Sequence, residues 1–434
     1  MTRGGWFGEP PDSWASARVG YYFDVALGKM LNASKESGDE SQAPYLAAGS
    51  IQPEHLVLDE SKTMAFSADE LAQYELRKDD VVVVEGGAGY GRSHLLRDDL
   101  PGWGFQNHVA RVRSRGAVAP AFLLYCLKAC LASGHIEANN RTATLPSLSR
   151  DVLRSLPVPL PPAEEQRVIA DFLDHETARI DALIAEQERL TEVQRERRDA
   201  VIDRGVFGLD TADGATRELR LIGRHRAIEP LLRAVPSTWL VERFKAVLER
   251  LDERNLELRF PMMSLKSTGD VVLRSSTGER QEPDESSLPR YLVAHVDDLV
   301  VNPMWLIGGA IGVSCVDGAV SPDYRVFRST GEHHPRYLHH LLRSRPYRNQ
   351  YVLYTRAQTT FDRRVQQPDL DNMPMPVPPL GEQAAIADRI DRTIAKIDAM
   401  ITETNSLIGL AKERRSALIT AAVTGQIDVR SAAV

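Results

Sequence analysis

Apolar residues along positions 163–206 fall at helical spacing: Ile169, Leu173, Ile180, Leu183, Leu190 and Val201 follow three-, four- and seven-residue steps with skipped positions. Positions i, i+3, i+4 and i+7 share one face of a helix, so this stripe predicts a long amphipathic helix with a coiled-coil seam. Ile386, Ile390, Ile397, Met400, Leu407 and Leu418 repeat the stripe at a constant offset of 217. Both stripes break at the same places, Glu176 matching Thr393 and Gln187 matching Thr404. Pro-rich leads precede them, with Pro157–Gln166 recurring as Pro374–Gln383. From these leads to Gly208 and Gly425, 24 of 52 aligned positions are identical, so the chain is a tandem duplication. Periodicity alone fits a coiled coil between two chains equally well. The duplication favours an intramolecular pair, since each helix has a partner in the same chain.

Ahead of each helix lie strand-like runs such as Asp80–Val84 and Tyr291–His295, Gly-rich turns, and helical stretches near Ala121–Ala132 and Tyr337–Arg343. Pro11-Asp-Ser-Trp14 opens one copy and Pro236-Ser-Thr-Trp239 the other. The expected fold is α+β, in the order domain, helix, linker, domain, helix. The boundaries expected are 1–156, 157–208, 209–235, 236–373 and 374–434. Leu299–Val316 is uncharged over 18 residues, but Asn302, Pro303, Gly308, Gly309 and Gly312 interrupt it, so two buried strands with a tight turn are expected rather than a membrane helix.

A net charge of −7 argues against a polyanion ligand until its distribution is considered. Ala88–Leu156 carries nine Lys/Arg against four acids and Pro289–Pro368 ten Arg against six, whereas Ala163–Arg204 has twelve acids against seven bases. Two basic modules separated by acidic helix could bind DNA at two places. The N-terminal MTRGGWFGEPPDSW lacks the apolar core of a signal peptide, and Cys126, Cys130 and Cys315 form no CxxC pair, which together suggest a cytoplasmic protein without disulfides or zinc.

Catalytic motifs are imitated rather than present. Asn302-Pro303-Met304-Trp305 approaches the Asn-Pro-Pro-aromatic motif of amino-methyltransferases but lacks its second proline, and the glycine run Gly86–Gly91 lies in the other domain. Turn chemistry between strands accounts for both. No GxxxxGK[ST] phosphate loop occurs. His333-His334 and His339-His340 have no carboxylate or thiol completing a metal set, and Glu164-Glu165 reads as a solvated helix start, since Gly381 replaces Glu164 in the repeat.

The paired PxPPxxEQxxIAxxxD segments, each leading a helix that ends in Glu-Arg-Arg, resemble the two helical regions of Type I restriction-modification specificity subunits. The residues are Pro159, Pro161, Pro162, Glu165, Gln166, Ile169, Ala170, Asp171, Asp174 and Glu196–Arg198, matched by Pro376, Pro378, Pro379, Glu382, Gln383, Ile386, Ala387, Asp388, Asp391 and Glu413–Arg415. The resemblance implies a pseudo-twofold subunit with two target-recognition domains on an antiparallel helix pair. It also implies a non-catalytic chain without a cofactor that reads a split duplex DNA site. Two adenine methyltransferase subunits and up to two motor-nuclease subunits would dock on it, bringing S-adenosylmethionine, ATP and Mg with them.

Candidate DNA contacts are polar and basic residues in loops of the two domains: Arg92, Gln106, Asn107, Arg141 and Thr144 in the first, Arg325, Arg356, Gln358, Arg363 and Arg364 in the second. Arg can pair with guanine and Gln or Asn with adenine, while other contacts hold phosphate. Two further readings stay open at this level. A structural adaptor would carry two ligand-binding domains unrelated to DNA on the same spacer, and a self-sufficient methyltransferase would bind its cofactor unaided.

Overall fold

Four consecutive valines, Val81–Val84, form a strand buried on both faces, and the alternation of side chains sends them to different cores. Val81 and Val83 join one cluster with Phe23, Val112, Phe122 and Leu127. Val82 and Val84 join another with Leu46, Ile51, Trp103 and Phe105. The chain divides into one unit of Met1–Glu188 with Ser406–Val434 and a second of Arg189–Asn405. A computed structural model describes residues 6–30, 41–116, 118–139, 147–209, 217–221, 234–266, 268–276, 285–331, 333–355 and 364–429. No helix among the described residues is long and apolar enough to cross a membrane.

In the first unit an antiparallel sheet runs in the order Phe23–Leu27, Val109–Ser114, Val81–Val84, Ser93–Leu95. Thr63–Phe66, Ser41–Leu46 and Gly104–Phe105 make a second sheet. The helix Pro120–Ala132 is apolar nearly all round, and the core accordingly surrounds it. The second unit has a six-stranded sheet in the order Leu248–Leu251, Arg325–Ser329, Leu299–Val301, Ile311–Ser314, Asp270–Leu273, Met263–Leu265. Leu299–Val301 pairs antiparallel with Ile311–Ser314, which makes the uncharged stretch two strands joined by a turn. Helices Pro335–Arg343 and Arg345–Tyr354 cover this sheet.

A buried acid at matching positions shows that the two domains share a plan beyond their helices. The Asp80 carboxylate accepts the Arg77 amide at 2.8 Å and a bidentate grip from Arg113 at 2.6 and 2.7 Å. Asp298 accepts the His295 amide at 2.8 Å and Arg328 at 2.7 and 2.8 Å. Asp79 and Asp297 precede them in left-handed conformation, at φ 68° and 69°.

Each Pro-rich lead is a strand paired antiparallel with the start of its own domain, Pro157–Leu160 with Ala15–Arg18 and Pro374–Val377 with Leu240–Arg243. The long helices Ala163–Val206 and Leu380–Val423 follow, 44 residues each. The glutamine of the repeated motif is buried at both helix starts. Gln166 accepts the Ala119 amide at 2.9 Å and donates to Pro161 O at 2.8 Å; Gln383 accepts the His334 amide and donates to Pro378 O, both at 2.8 Å. Ala119 and His334 are the N-caps of Pro120–Ala132 and Pro335–Arg343, and neither cap side chain bonds to its helix. The motif therefore ties the start of each long helix to the start of its domain helix.

Within each unit the two helices run antiparallel. Arg415 reaches Asp181 at 2.8 Å and Lys412 reaches Glu188 at 3.3 Å in the first unit, and Arg198 reaches Asp398 at 3.0 Å in the second. Ile169, Leu173, Ile386, Ile390 and Ile397 are buried, and Ile180 is half-buried. Four of the expected seam residues require correction: Leu183 is 52% exposed, Leu190 40%, Met400 39% and Leu407 51%. From Leu173 a strict alternation of four and three leads through Thr177, Ile180, Ile184, Gln187, Thr191, Gln194, Arg198 and Val201, all buried or half-buried. The leucines lie one position before Ile184 and Thr191, on a neighbouring face.

Removing Asp80 should destabilise more than removing Asp298, because Arg113 is 27% exposed and the otherwise equivalent Arg328 is 47% exposed. Asp80→Ala is expected to cost about 3 kcal/mol, the scale for stranding one partner of a buried pair, and Asp298→Ala visibly less. Urea unfolding followed by hydrogen exchange at the strands carrying each arginine measures both; equal losses would contradict this account.

Candidate nucleic-acid interface

Main-chain bonding draws three polar segments of the first unit to one end of its sheet. Past Val81–Val84, the Val84 amide bonds to Arg92 O (2.8 Å), the Glu85 amide to His108 O (2.9 Å) and the Leu148 amide to Glu85 O (2.6 Å). The Arg92 turn, the Gln106-Asn107 corner and the segment beginning at Ser147 thus converge. Gly87 and Gly91 take left-handed φ of 82° and 77° in that turn, and a Cβ at Gly91 would meet Leu131 at 2.8 Å. Gln106 and Asn107 are half-buried, with their main chain held to Leu46 O at 3.1 Å and Lys29 O at 2.8 Å. Their side chains make no hydrogen bond among the described residues.

The second unit repeats this arrangement at the same end of its sheet. The Asn302 amide bonds to Ala310 O (3.0 Å) and the Val365 amide to Pro303 O (3.3 Å), which brings the 302–310 turn beside Arg364. Arg325, expected in a loop, instead begins the strand Arg325–Ser329 and is only 7% exposed, donating from Nη2 to Val365 O at 3.1 Å. Burial first, and then the neighbouring Arg250 and Arg364, push its guanidinium down to about 10. Arg364 is exposed. Arg141, Thr144, Arg356, Gln358 and Arg363 lie outside the described residues.

The imitated catalytic motifs resolve into turns. Asn302 Oδ1 accepts the Met304 amide at 3.1 Å, and Asn302 O accepts the Trp305 amide at 3.1 Å. Gly86–Gly91 joins two strands rather than a strand to a helix, so no helix N-terminus stands behind it to hold a phosphate. His340 Nε2 lies 2.7 Å from Asp391, which Arg336 also grips, and His339 is buried beside it with its charged form disfavoured by burial. Among the described residues no group of His, Cys, Asp or Glu is arranged to hold a metal. Trp305, in a phrase that the sequence reads only as a turn, is 60% exposed in the 302–310 turn. Arg250, which no motif marks, neighbours Arg325.

Asp391 and its counterpart Asp174, 217 residues earlier, anchor each domain to its helix. Asp174 takes the Tyr125 hydroxyl at 2.6 Å and Arg97 at 2.8 Å. Burial opposes ionisation of Asp391, but His340 and Arg336 outweigh it and hold the carboxyl well below its usual range. A further buried acid, Asp203, accepts the Arg345 amide at 3.0 Å, an otherwise orphaned donor in the first turn of Arg345–Tyr354.

Residues 11–194 match the family model described as "Type I restriction modification DNA specificity domain". The chain is 21% identical over 314 residues to the Type I restriction enzyme EcoDI specificity subunit of Escherichia coli, covering 68% of each protein. It is 19% identical over 442 residues to the Type I restriction enzyme MjaVIII specificity subunit of Methanocaldococcus jannaschii, covering 97% of this chain and 94% of that one. A chain from a solved structure concerned with complex assembly and conformational transition of the type I R-M system superposes with a TM-score of 0.64, at 16% identity over 96% of this chain and 100% of that one. At that identity the likeness establishes the fold.

Burial pushes the Asp203 carboxyl up to about 6 from its ordinary 3.8, more than the Arg345 amide and guanidinium pull it down. A raised folded-state value contributes stability that is complete below about pH 4 and is lost as the pH climbs through about 6. Asp203→Asn keeps an oxygen for the Arg345 amide but carries no charge. The variant should therefore gain on the wild type between pH 4 and 6 and hold that gain at pH 7. Paired urea midpoints across that range test this; a constant difference would show that Asp203 does not titrate there.

Proposed function

We propose that this chain is a DNA specificity subunit of the Type I restriction-modification family, a reading supported by its likeness to the family model and to the specificity subunits it resembles, and that its two globular domains each read one half of a split, asymmetric duplex site. The carrying observation is the duplication of the converging segments. Each domain gathers polar and basic residues at the same end of an equivalent sheet, Arg92 with Gln106 and Asn107 in one and Arg325 with Arg364 in the other. The helices are alike in 24 of 52 positions, whereas the converging segments differ. A constant support with unlike readers suits two different half-sites.

Covalent linkage makes binding of the second half-site intramolecular, which raises affinity only where the spacing permits both contacts at once. The antiparallel helix pair acts as the ruler. The chain itself performs no chemistry. Two adenine methyltransferase subunits dock on it and modify one adenine in each half-site, and motor-nuclease subunits join them to cut unmodified DNA. Base-reading residues specify and phosphate contacts position.

Methylome sequencing of cells expressing this chain with its methyltransferase, compared with cells lacking this gene, is the direct test. The expected outcome is a split motif with methylated adenine in both halves that disappears with the gene. An unchanged methylome with the methyltransferase folded would favour the adaptor instead.

A further inference from the structure

The repeat allows the two readers to be compared position by position, and one comparison concentrates charge on one side. Arg113 and Arg328 correspond through their grips on Asp80 and Asp298. In the first reader Asp24 faces Arg113 and Val25 faces Val112; in the second Glu249 faces Arg328 and Arg250 faces Phe327. Val25 therefore corresponds to Arg250, and Ala110 to Arg325. The Leu148 and Val365 amides make the equivalent bonds past the central strands, to Glu85 O and Pro303 O, so Ser147 corresponds to Arg364. Three uncharged positions of one reader are three arginines in the other.

These arginines lie close together. Arg250 faces Phe327, which places it diagonal to Arg325 on the same face of adjacent strands. Arg364 adjoins Val365, whose carbonyl takes Arg325 Nη2. Nη1 of Arg325 is buried and has no hydrogen-bond partner among the described residues. Arg250 and Arg364 are exposed, and neither forms an ion pair among the described residues. Among the described residues, Asp371 is the carboxylate acting on Arg325, and the two neighbouring guanidiniums oppose it. The corresponding place in the first reader has, among the described residues, one arginine, Arg150, whose Nε donates to Val25 O at 2.8 Å.

We propose that Arg250, Arg325 and Arg364 form a clamp for one backbone phosphate of duplex DNA, built into the second reader and without a counterpart among the described residues of the first. This rests on the reading of the chain as a DNA specificity subunit. A phosphodiester fits better than a base because Arg325 has Nη2 committed to a main-chain carbonyl, so its two terminal nitrogens cannot both turn to the O6 and N7 of guanine. A phosphate accepts single donors from the exposed Arg250 and Arg364 and relieves their repulsion with the buried Arg325 guanidinium beneath them. The clamp fixes the second domain on its half-site and adds affinity that is blind to sequence.

The test uses the full chain assembled with its methyltransferase, with Arg250→Gln and Arg364→Gln combined and the buried Arg325 left in place. Binding is measured over a salt series to a duplex containing the methylated motif and to an unrelated duplex. A set of target duplexes carrying one uncharged methylphosphonate at each position of the second half-site is measured alongside. The variant should lose roughly three- to tenfold on both duplexes, with the salt slope reduced by about one. One methylphosphonate should reproduce that loss in the wild type and have no further effect in the variant. An unchanged salt slope overturns the clamp, as does a loss confined to one base pair. Normal DNA binding with failed methyltransferase assembly would assign the cluster to an acidic protein surface. A wild type without preference between the duplexes would overturn the sequence-reading role, while the salt slope would still decide the clamp.

Discussion

Neither globular core closes without both long helices. In the first unit Ile169, Ala170 and Leu173 from the start of one helix and Ile419, Ala422 and Val423 from the end of the other enter the same cluster as the sheet and the helix Pro120–Ala132. In the second, Ile386, Ala387 and Ile390 join Ile202, Val206 and Phe207 around the helix Pro335–Arg343. Each domain is therefore completed by segments some two hundred residues apart, and the antiparallel pairing follows because only then do a helix start and a helix end meet in one core. Fully burying aliphatic and aromatic side chains is worth roughly 1.5–3 kcal/mol each, far more than the exposed ion pairs along the helices.

The same constraint explains the glycines that end the helices. Gly425 and Gly208 both turn with left-handed φ, 74° and 66°, and a Cβ on either would strike the Pro-x-x-Trp phrase of a domain. For Gly425 the obstacles are Pro11 and Trp14, and for Gly208 they are Pro236 and Trp239. The short phrases that open the two domains are the surfaces on which the helices end. Along the helices beyond each core the seam turns polar, with Thr177, Gln187, Thr191, Gln194 and Thr404 buried or half-buried. Packing there specifies less, and the charge pairs Arg415–Asp181 and Arg198–Asp398 lie along it.

A division of labour follows from where the segments converge. The motif glutamines, the helix aspartates and the buried Asp80 and Asp298 act on the main chain or on neighbouring elements, so they keep the frame constant. The segments past Val81–Val84 and Leu299–Val301 are held by main-chain bonds that any side chain tolerates. On the proposed reading, domains of different specificity can be built on that frame, the arrangement expected when binding residues sit on loops over a rigid scaffold.

The α+β class and the two long helices were legible in the sequence, because the duplication, the helical period and the Pro-rich leads are local or repeated signals. So was the break of Leu299–Val316 into strands, since Pro and Gly punctuate it. The seam was legible only at its ends: Leu183 and Leu190 are apolar and Thr191 is not, so hydrophobicity drew the stripe one residue away from the face that turns inward. The common plan of the readers was hidden because Asp80 and Asp298 are gripped by arginines some thirty residues away. The cluster of Arg250, Arg325 and Arg364 was hidden for the same reason, since strand pairing brings together residues that no sequence spacing relates. Local periodicity is written into neighbouring residues, but which distant side chains share a surface is decided only when the sheets form and the cores close.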